Sequence, residues 1–256
     1  MQTIMELSAS DLGRAIDVGK LDPIEILEAY LNAIKSSSEA EQIYTSITKE
    51  RALAEALEAS SRAKSGQRLS LLDGVPISWK DLFDTAGYAT EAGSALLAGR
   101  VPEKDARCLS DATAKGLVCL GKTHMSELAF SGLGLNPVTA TPPCINFSGS
   151  VPGGSSSGAG ASVAYGLAPS AVGSDTGGSV RIPAAWNDLV GLKTTSGLIS
   201  LEGVVPLCPS FDTVGPLTKS VEDSANLFSV LTSASPIDLA SSDVSGRRLA
   251  ILKSDL

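Results

Sequence analysis

The chain has little imidazole, little aromatic surface and a deficit of positive charge. It carries one histidine, His124, among 256 residues. That removes most metal sites and makes any Ser-His-Asp mechanism rest on a single side chain. Aromatic residues make up only 4%, too few for the stacking platforms that hold single-stranded nucleic acid. The formal charge is −8, from 28 acidic against 20 basic residues, so phosphate backbones and anionic membrane surfaces are poor partners. The four cysteines, Cys108, Cys119, Cys144 and Cys208, are scattered without a CxxC pair. This argues against a zinc knuckle or a disulfide framework and fits a reducing compartment. No apolar run approaches the roughly 18 residues of a membrane span. The opening MQTIMELSAS lacks a basic stretch followed by an apolar one, so no targeting segment is expected. The expectation is a cytoplasmic protein with no metal, no cofactor, no nucleic acid and no membrane partner.

What is present is apolar and small. Hydrophobic residues make up 43%, with 25 Gly and 13 Pro, enough to bury a core. Residues 1–65 predict helices. Ser8-x-x-Asp11 forms a capping-box pattern before Leu12 and Ile16. Asp22-Pro23 supplies an N-cap and a first-turn proline, and Ile24, Ile26, Leu27, Tyr30, Leu31 and Ile34 follow at helical spacing. Lys49 to Lys64 predicts a third helix ending at Ser65-Gly66, and Ile43–Ile47 between them a short strand. Beyond residue 65, strands are predicted at 75–79, 116–120, 170–173 and 249–252. Helices are predicted near 106–115, 156–165 and 221–231. The alternation indicates an α/β fold with a largely parallel or mixed sheet. No linker divides it, so a single domain is expected, with 1–65 packed on a catalytic core of 66–256.

The segment Gly153–Ser179 concentrates the chemistry. Of its 27 residues eight are Gly and seven Ser, and Asp175 is its only charge. A flexible linker has this composition, but Val163, Tyr165, Leu167 and Val172 point to an interior segment whose small residues allow close backbone approach. The helix predicted from Ser156 would present free N–H groups at its start. Downstream, Gly177-Gly178 precede Ser179. Such a turn can aim successive N–H groups at one point, as an oxyanion hole requires. Ser179 is then a candidate nucleophile, although a loop serine in a glycine turn is equally consistent with this piece alone. Its base would be His124, or a lysine deprotonated by burial. Lys80, following the apolar run Val75–Trp79, is the candidate lysine, with a surface pair to Asp81 or Asp84 as the plainer reading.

Two motif matches are declined. Gly116–Thr123 fits GxxxxGKT, but its variable positions are Leu, Val, Cys and Leu, a buried strand rather than a phosphate loop. Gly154–Gly158 fits GxSxG, but no histidine follows residue 124 to complete a hydrolase triad.

Taken together, Gly153-Gly154-Ser155-Ser156-Ser157-Gly158 and Gly173-x-Asp175-x-Gly177-x-Ser179-Val180-Arg181-x-Pro183-Ala184 resemble the amidase signature family, matching every fixed position of its long Gly/Ser pattern. Gly74–Asp81 is similar to the family's lysine-bearing strand, and Gly121–Ala129 to the segment before its active-site loop. Val190–Thr194, Phe211–Thr218 and Asp22-Pro23-Ile24-Glu25 also fit. The likeness covers essentially residues 5–256. It implies amide hydrolysis of a small-molecule carboxamide through an acyl-enzyme and a Ser-cisSer-Lys triad. Ser179 would be the nucleophile, Ser155 the bridging serine after a cis peptide bond, and Lys80 the base. Backbone N–H groups of Thr176, Gly177, Gly178 and Ser179 would hold the oxyanion. Ser156, Asp175 and Arg181 would support the loop.

The sequence departs from the family at Asp188, where Gly is expected, and at Leu198, where many members have Arg. Ile145–Ser150 also lacks the usual Pro/Asp spacing. Family domains are longer. The resemblance therefore implies a truncated domain with an open strand edge, an uncovered apolar face and a tendency to self-association. Two rival readings follow. One is a catalytically silent or binding-only fragment. The other is the amidase component of a tRNA-dependent amidotransferase, from which the Arg181-Ile182-Pro183 and Thr195–Ile199 stretches differ.

Overall fold

A computed structural model describes residues 3–147, 149–239, 243, 245–248 and 250. The chain opens with helices α1 (Ala9–Asp17) and α2 (Pro23–Ser36), the short α3 (Ala40–Ile43), strand β1 (Tyr44–Ile47) and helix α4 (Lys49–Lys64). The caps follow the sequence. Ser8 and Asp11 form a reciprocal capping box on α1, and Asp22 accepts from the Ile24 N–H at the start of α2. Then come β2 (Pro76–Lys80), α5 (Arg107–Ala114), β3 (Val118–Thr123), α6 (Ser157–Ala164) and β4 (Ser170–Asp175). α7 (Arg181–Trp186), β5 (Val190–Gly191), β6 (Thr213–Thr218) and α8 (Val221–Thr232) complete the order. The strand predicted over 249–252 lies outside the described residues, apart from Ala250, which belongs to no regular element.

The six strands form one mixed sheet in the order β1-β3-β2-β4-β6-β5. β2 runs parallel to both β3 and β4, whereas β1, β5 and β6 pair antiparallel with their neighbours. Sequence patterning missed β6 because Gly215 and Pro216 lie inside it. Proline lacks the N–H for a ladder bond and is unfavourable within a sheet. Here Pro216 faces Val172 in the β4 register, and its carbonyl accepts from the Leu192 N–H at 3.2 Å. β2, β3, β4 and β6 are buried along their whole length, as central strands covered on both faces are. Leu12, Ile26, Leu27 and Tyr30 of the N-terminal helices share one apolar cluster with Ile77, Trp79, Val118 and Val214 of the sheet. Trp79 meets Phe83 edge to face, with centroids 5.4 Å apart.

α6 threads between the sheet and α7, and every one of its residues except Ala164 is buried. Its small residues have a direct cause. A Cβ at Gly158 would come within 2.7 Å of the His124 backbone nitrogen and oxygen, so no larger residue fits where the helix crosses the end of β3. Elsewhere large apolar side chains stand in water, Phe130, Phe147 and Phe211 among them. All four cysteines are free thiols. Among the described residues no helix is long and apolar enough to cross a membrane.

Candidate active site

β2 and β4 are parallel neighbours, so their C-terminal ends lie side by side. Lys80 ends one and Ser174-Asp175 the other. This is where ligands bind in open α/β sheets. Lys80 is completely buried. Its Nζ donates to Ser155 Oγ at 2.8 Å and to Ser174 Oγ at 2.8 Å. Burial pushes the Lys80 ammonium down to about 7, against the opposing pull of the Asp175 and Asp212 carboxylates. A lysine so placed is neutral in a large fraction of molecules near pH 7 and can accept a proton.

Ser155 reaches Lys80 from the segment that leads into α6. The Gly154–Ser155 peptide bond is cis. The segment is clamped by backbone bonds, with Gly154 N–H donating to Gly132 O at 2.8 Å and Ser126 N–H to Ser155 O at 3.1 Å. A Cβ at Gly154 would meet the Gly134 backbone at 2.6 Å, which explains the glycine there. Ser156 joins three parts of the site. Its N–H donates to Ser179 O at 3.2 Å. Its Oγ donates to Ser174 O at 3.2 Å and accepts from the Ser174 N–H at 3.3 Å.

The turn Thr176–Ser179 follows β4 and is organised by Asp175, which is fully buried. The carboxylate accepts from the N–H groups of Gly178 (2.8 Å) and Val180 (3.0 Å). It also accepts from Arg181 Nε at 3.0 Å and Nη2 at 2.9 Å. Burial works to raise the Asp175 carboxyl, but the Arg181 and backbone donors outweigh it and hold it below the ordinary carboxylate value. Ser179 is 8% exposed, against 0% for Lys80 and Ser155, so the nucleophile candidate stands at the opening of the site.

The structure thus gathers Lys80, Ser155, Ser156, Asp175, Thr176–Ser179 and Arg181 into one network. Three expectations need refinement. Gly178 N–H is already given to Asp175, so it is turned to the carboxylate. The start of α6 does not present free N–H groups in the way expected. Gly158 N–H donates to His124 O at 2.9 Å, and the preceding Ser156 N–H is spent on Ser179. The His124 ring is engaged elsewhere, with Nδ1 3.2 Å from Thr139 Oγ1, and burial lowers its pKa. The Lys122 of the phosphate-loop look-alike is buried at 2.8 Å from Asp81 Oδ1 and 2.8 Å from Thr90 Oγ1.

Two residues of the network carried no assigned role in the sequence. Ser174 takes the second Lys80 N–H, and Asp212 accepts from Thr176 Oγ1. Ser174 was marked only by its place beside Asp175, and Asp212 by lying in the family-like stretch Phe211–Thr218, and strand register alone makes their positions meaningful. Among the described residues no three His, Cys, Asp or Glu side chains are grouped as metal ligands.

The family model described as Amidase matches residues 25–253. The chain is 39% identical over 241 residues to a glutamyl-tRNA(Gln) amidotransferase subunit from Anaeromyxobacter dehalogenans, covering 93% of this chain and 49% of that protein. Among solved structures it is similar to an amidase, with a TM-score of 0.83 and 35% identity, over 90% of this chain and 52% of that one. It is also similar to native peptide amidase from Stenotrophomonas maltophilia, with a TM-score of 0.82 and 35% identity, over 92% of this chain and 49% of that one. The chain spans about half the length of the curated relatives it matches.

Proposed function

The chain belongs to the amidase family, and we propose on that premise that it hydrolyses a carboxamide to a carboxylic acid and ammonia or an amine through Lys80, Ser155 and Ser179. The observation that carries this reading is the buried Lys80 Nζ at 2.8 Å from Ser155 Oγ, in a site whose desolvation favours the neutral amine. In the reaction, Ser179 Oγ attacks the amide carbonyl. Its proton passes to Ser155, and the Ser155 proton to Lys80. The carbonyl oxygen, now anionic, is held by the backbone N–H groups of Thr176, Gly177 and Ser179, Gly178 N–H being given to Asp175. Collapse breaks the C–N bond, and the amine leaves with a proton returned from Lys80 through Ser155. Water then attacks the Ser179 ester by the same proton route, releasing the acid and restoring the hydroxyl. Ser174 takes one N–H of the neutral Lys80 amine, which turns its lone pair toward Ser155. Ser156, Asp175 and Arg181 hold the turn in place.

The test is active-site labelling of the whole chain with a fluorophosphonate, mapped by mass spectrometry. An adduct on Ser179 that is lost in Ser179→Ala supports the reading. An unlabelled chain supports the rival in which this polypeptide is silent or acts by binding alone. A second reading rests on the 39% identity to a component of an amidotransferase. In it, the same chemistry serves a tRNA-dependent amidotransferase, and amide cleavage emerges only once the other components of that enzyme are added.

A further inference from the structure

Asp212 precedes β6, and the Asp175–Thr213 register pair sets it opposite Thr176 at the end of the sheet. The side chain is 5% exposed. Its carboxylate accepts from Thr176 Oγ1, from Leu207 N–H at 3.0 Å, and from Cys208 N–H at 3.1 and 3.0 Å to its two oxygens. Asp212 N–H in turn donates to Cys208 O at 2.9 Å, closing the 208–212 loop on itself. Thr213, next in the chain, donates from Oγ1 to Asp175 O at 2.7 Å. The start of β6 is thus tied at two successive residues to the end of β4 and to the turn that follows it.

The two carboxylates of the site differ in one respect. Asp175 is paired with Arg181 at 2.9 Å, whereas among the described residues no cation is paired with Asp212. Its charge is stabilised instead by the N–H and O–H donors it accepts from, which tie it to the 207–208 loop and to Thr176.

We propose that Asp212 is a positioning residue of this amide-cleaving site, holding Thr176 and, through it, the Thr176–Ser179 turn. The inference rests on the proposed function. Thr176 is the first residue of the turn that faces the developing oxyanion, and an acyl-transfer site loses rate steeply when such donors shift. Asp212 thereby fixes the entry to the turn from the β6 side.

The test compares the whole wild-type chain with Asp212→Asn, Thr176→Val and Thr176→Ser, the last of which keeps the hydroxyl. The rate of fluorophosphonate attachment to Ser179 is followed, and amide hydrogen exchange is read over residues 176–179. Thr176→Val is expected to slow labelling about tenfold, a modest share of the loss seen on removing an oxyanion donor, and Thr176→Ser to restore it, at unchanged melting temperature. Asp212→Asn is expected to slow labelling and to speed exchange across the turn. Wild-type labelling by Thr176→Val overturns the proposal, as does a Thr176→Ser rate no better than that of Thr176→Val. If Asp212→Asn does not fold, the two Thr176 variants decide alone. If the wild-type chain takes no label, the proposed function fails, and exchange over the turn in Asp212→Asn decides by itself whether Asp212 holds it, unchanged exchange overturning that role.

Discussion

Lys80 Nζ lies 2.8 Å from Ser155 Oγ, and both residues are sealed from water. An ammonium in that position would lack the hydration that stabilises charge. The pair is the proposed proton relay, and its behaviour with pH can be stated in advance.

Hydrolysis and Ser179 labelling are expected to rise with pH through about 7, the value at which burial leaves Lys80 half deprotonated. In the proposed mechanism the neutral amine is the active form, so the slower side is the acid side. A rate profile flat from pH 5 to 9 sinks Lys80 as the base.

The same burial has a cost in stability. Lys80 binds its proton far more weakly folded than unfolded, so the cost is fully present below about 7 and fades as the pH climbs toward the ordinary lysine value. Lys80→Met is expected to be more stable than wild type at pH 6, by an amount on the order of 5 kcal/mol at most. The margin shrinks toward pH 10. Urea denaturation at the two pH values checks this, and a variant less stable at pH 6 contradicts it.

Ser155→Ala leaves Lys80 and Ser179 without their intermediary. Labelling at Ser179 is expected to fall roughly 10²–10⁴-fold, the range of a lost general acid–base step. Retention of the wild-type rate shows that protons reach Lys80 by another route.

Arg181→Met removes the cation from a buried carboxylate. Breaking a fully buried pair costs about 3–5 kcal/mol, but the Arg181 side chain is half exposed and water takes over part of its role, so about 1–2 kcal/mol is expected. The Asp175 carboxyl is held low, so its share of stability is present above the ordinary carboxylate pKa and is lost as pH falls through the lowered one. The variant should therefore lose less stability between pH 5 and 3 than wild type. Parallel denaturation curves at those pH values test it, and an equal loss refutes it.

Gly158→Ala places a methyl 2.7 Å from the His124 backbone and 2.6 Å from Ile43 O. Backbone atoms at the end of a packed strand cannot yield as a flexible side chain can, so about 1–3 kcal/mol of overpacking is expected. Thermal unfolding reads it directly, and an unchanged melting temperature shows that α6 can move away from β3.

Much of this protein was legible along the chain. The capping box at Ser8, the Asp22-Pro23 start and the Lys49–Lys64 helix depend on neighbours within a turn, and local chemistry decides them. Val118–Thr123 forms a buried strand although it spells a phosphate-loop motif, because its apolar side chains outweigh the glycines. Ser179 was legible as a candidate from the glycines before it and Lys80 from the apolar run that precedes it, while Ser155 entered only through the resemblance to the amidase signature family. Tertiary structure decided what those residues face. Only the parallel pairing of β2 with β4 brings Lys80 to Ser174. Only the antiparallel return of β6, through a proline that patterning disfavours, sets Asp212 against Thr176. These contacts join residues 36 to 94 positions apart, a distance over which sequence carries composition but no register. Local propensity made the elements, and the burial of both faces of one sheet set the electrostatics of the site.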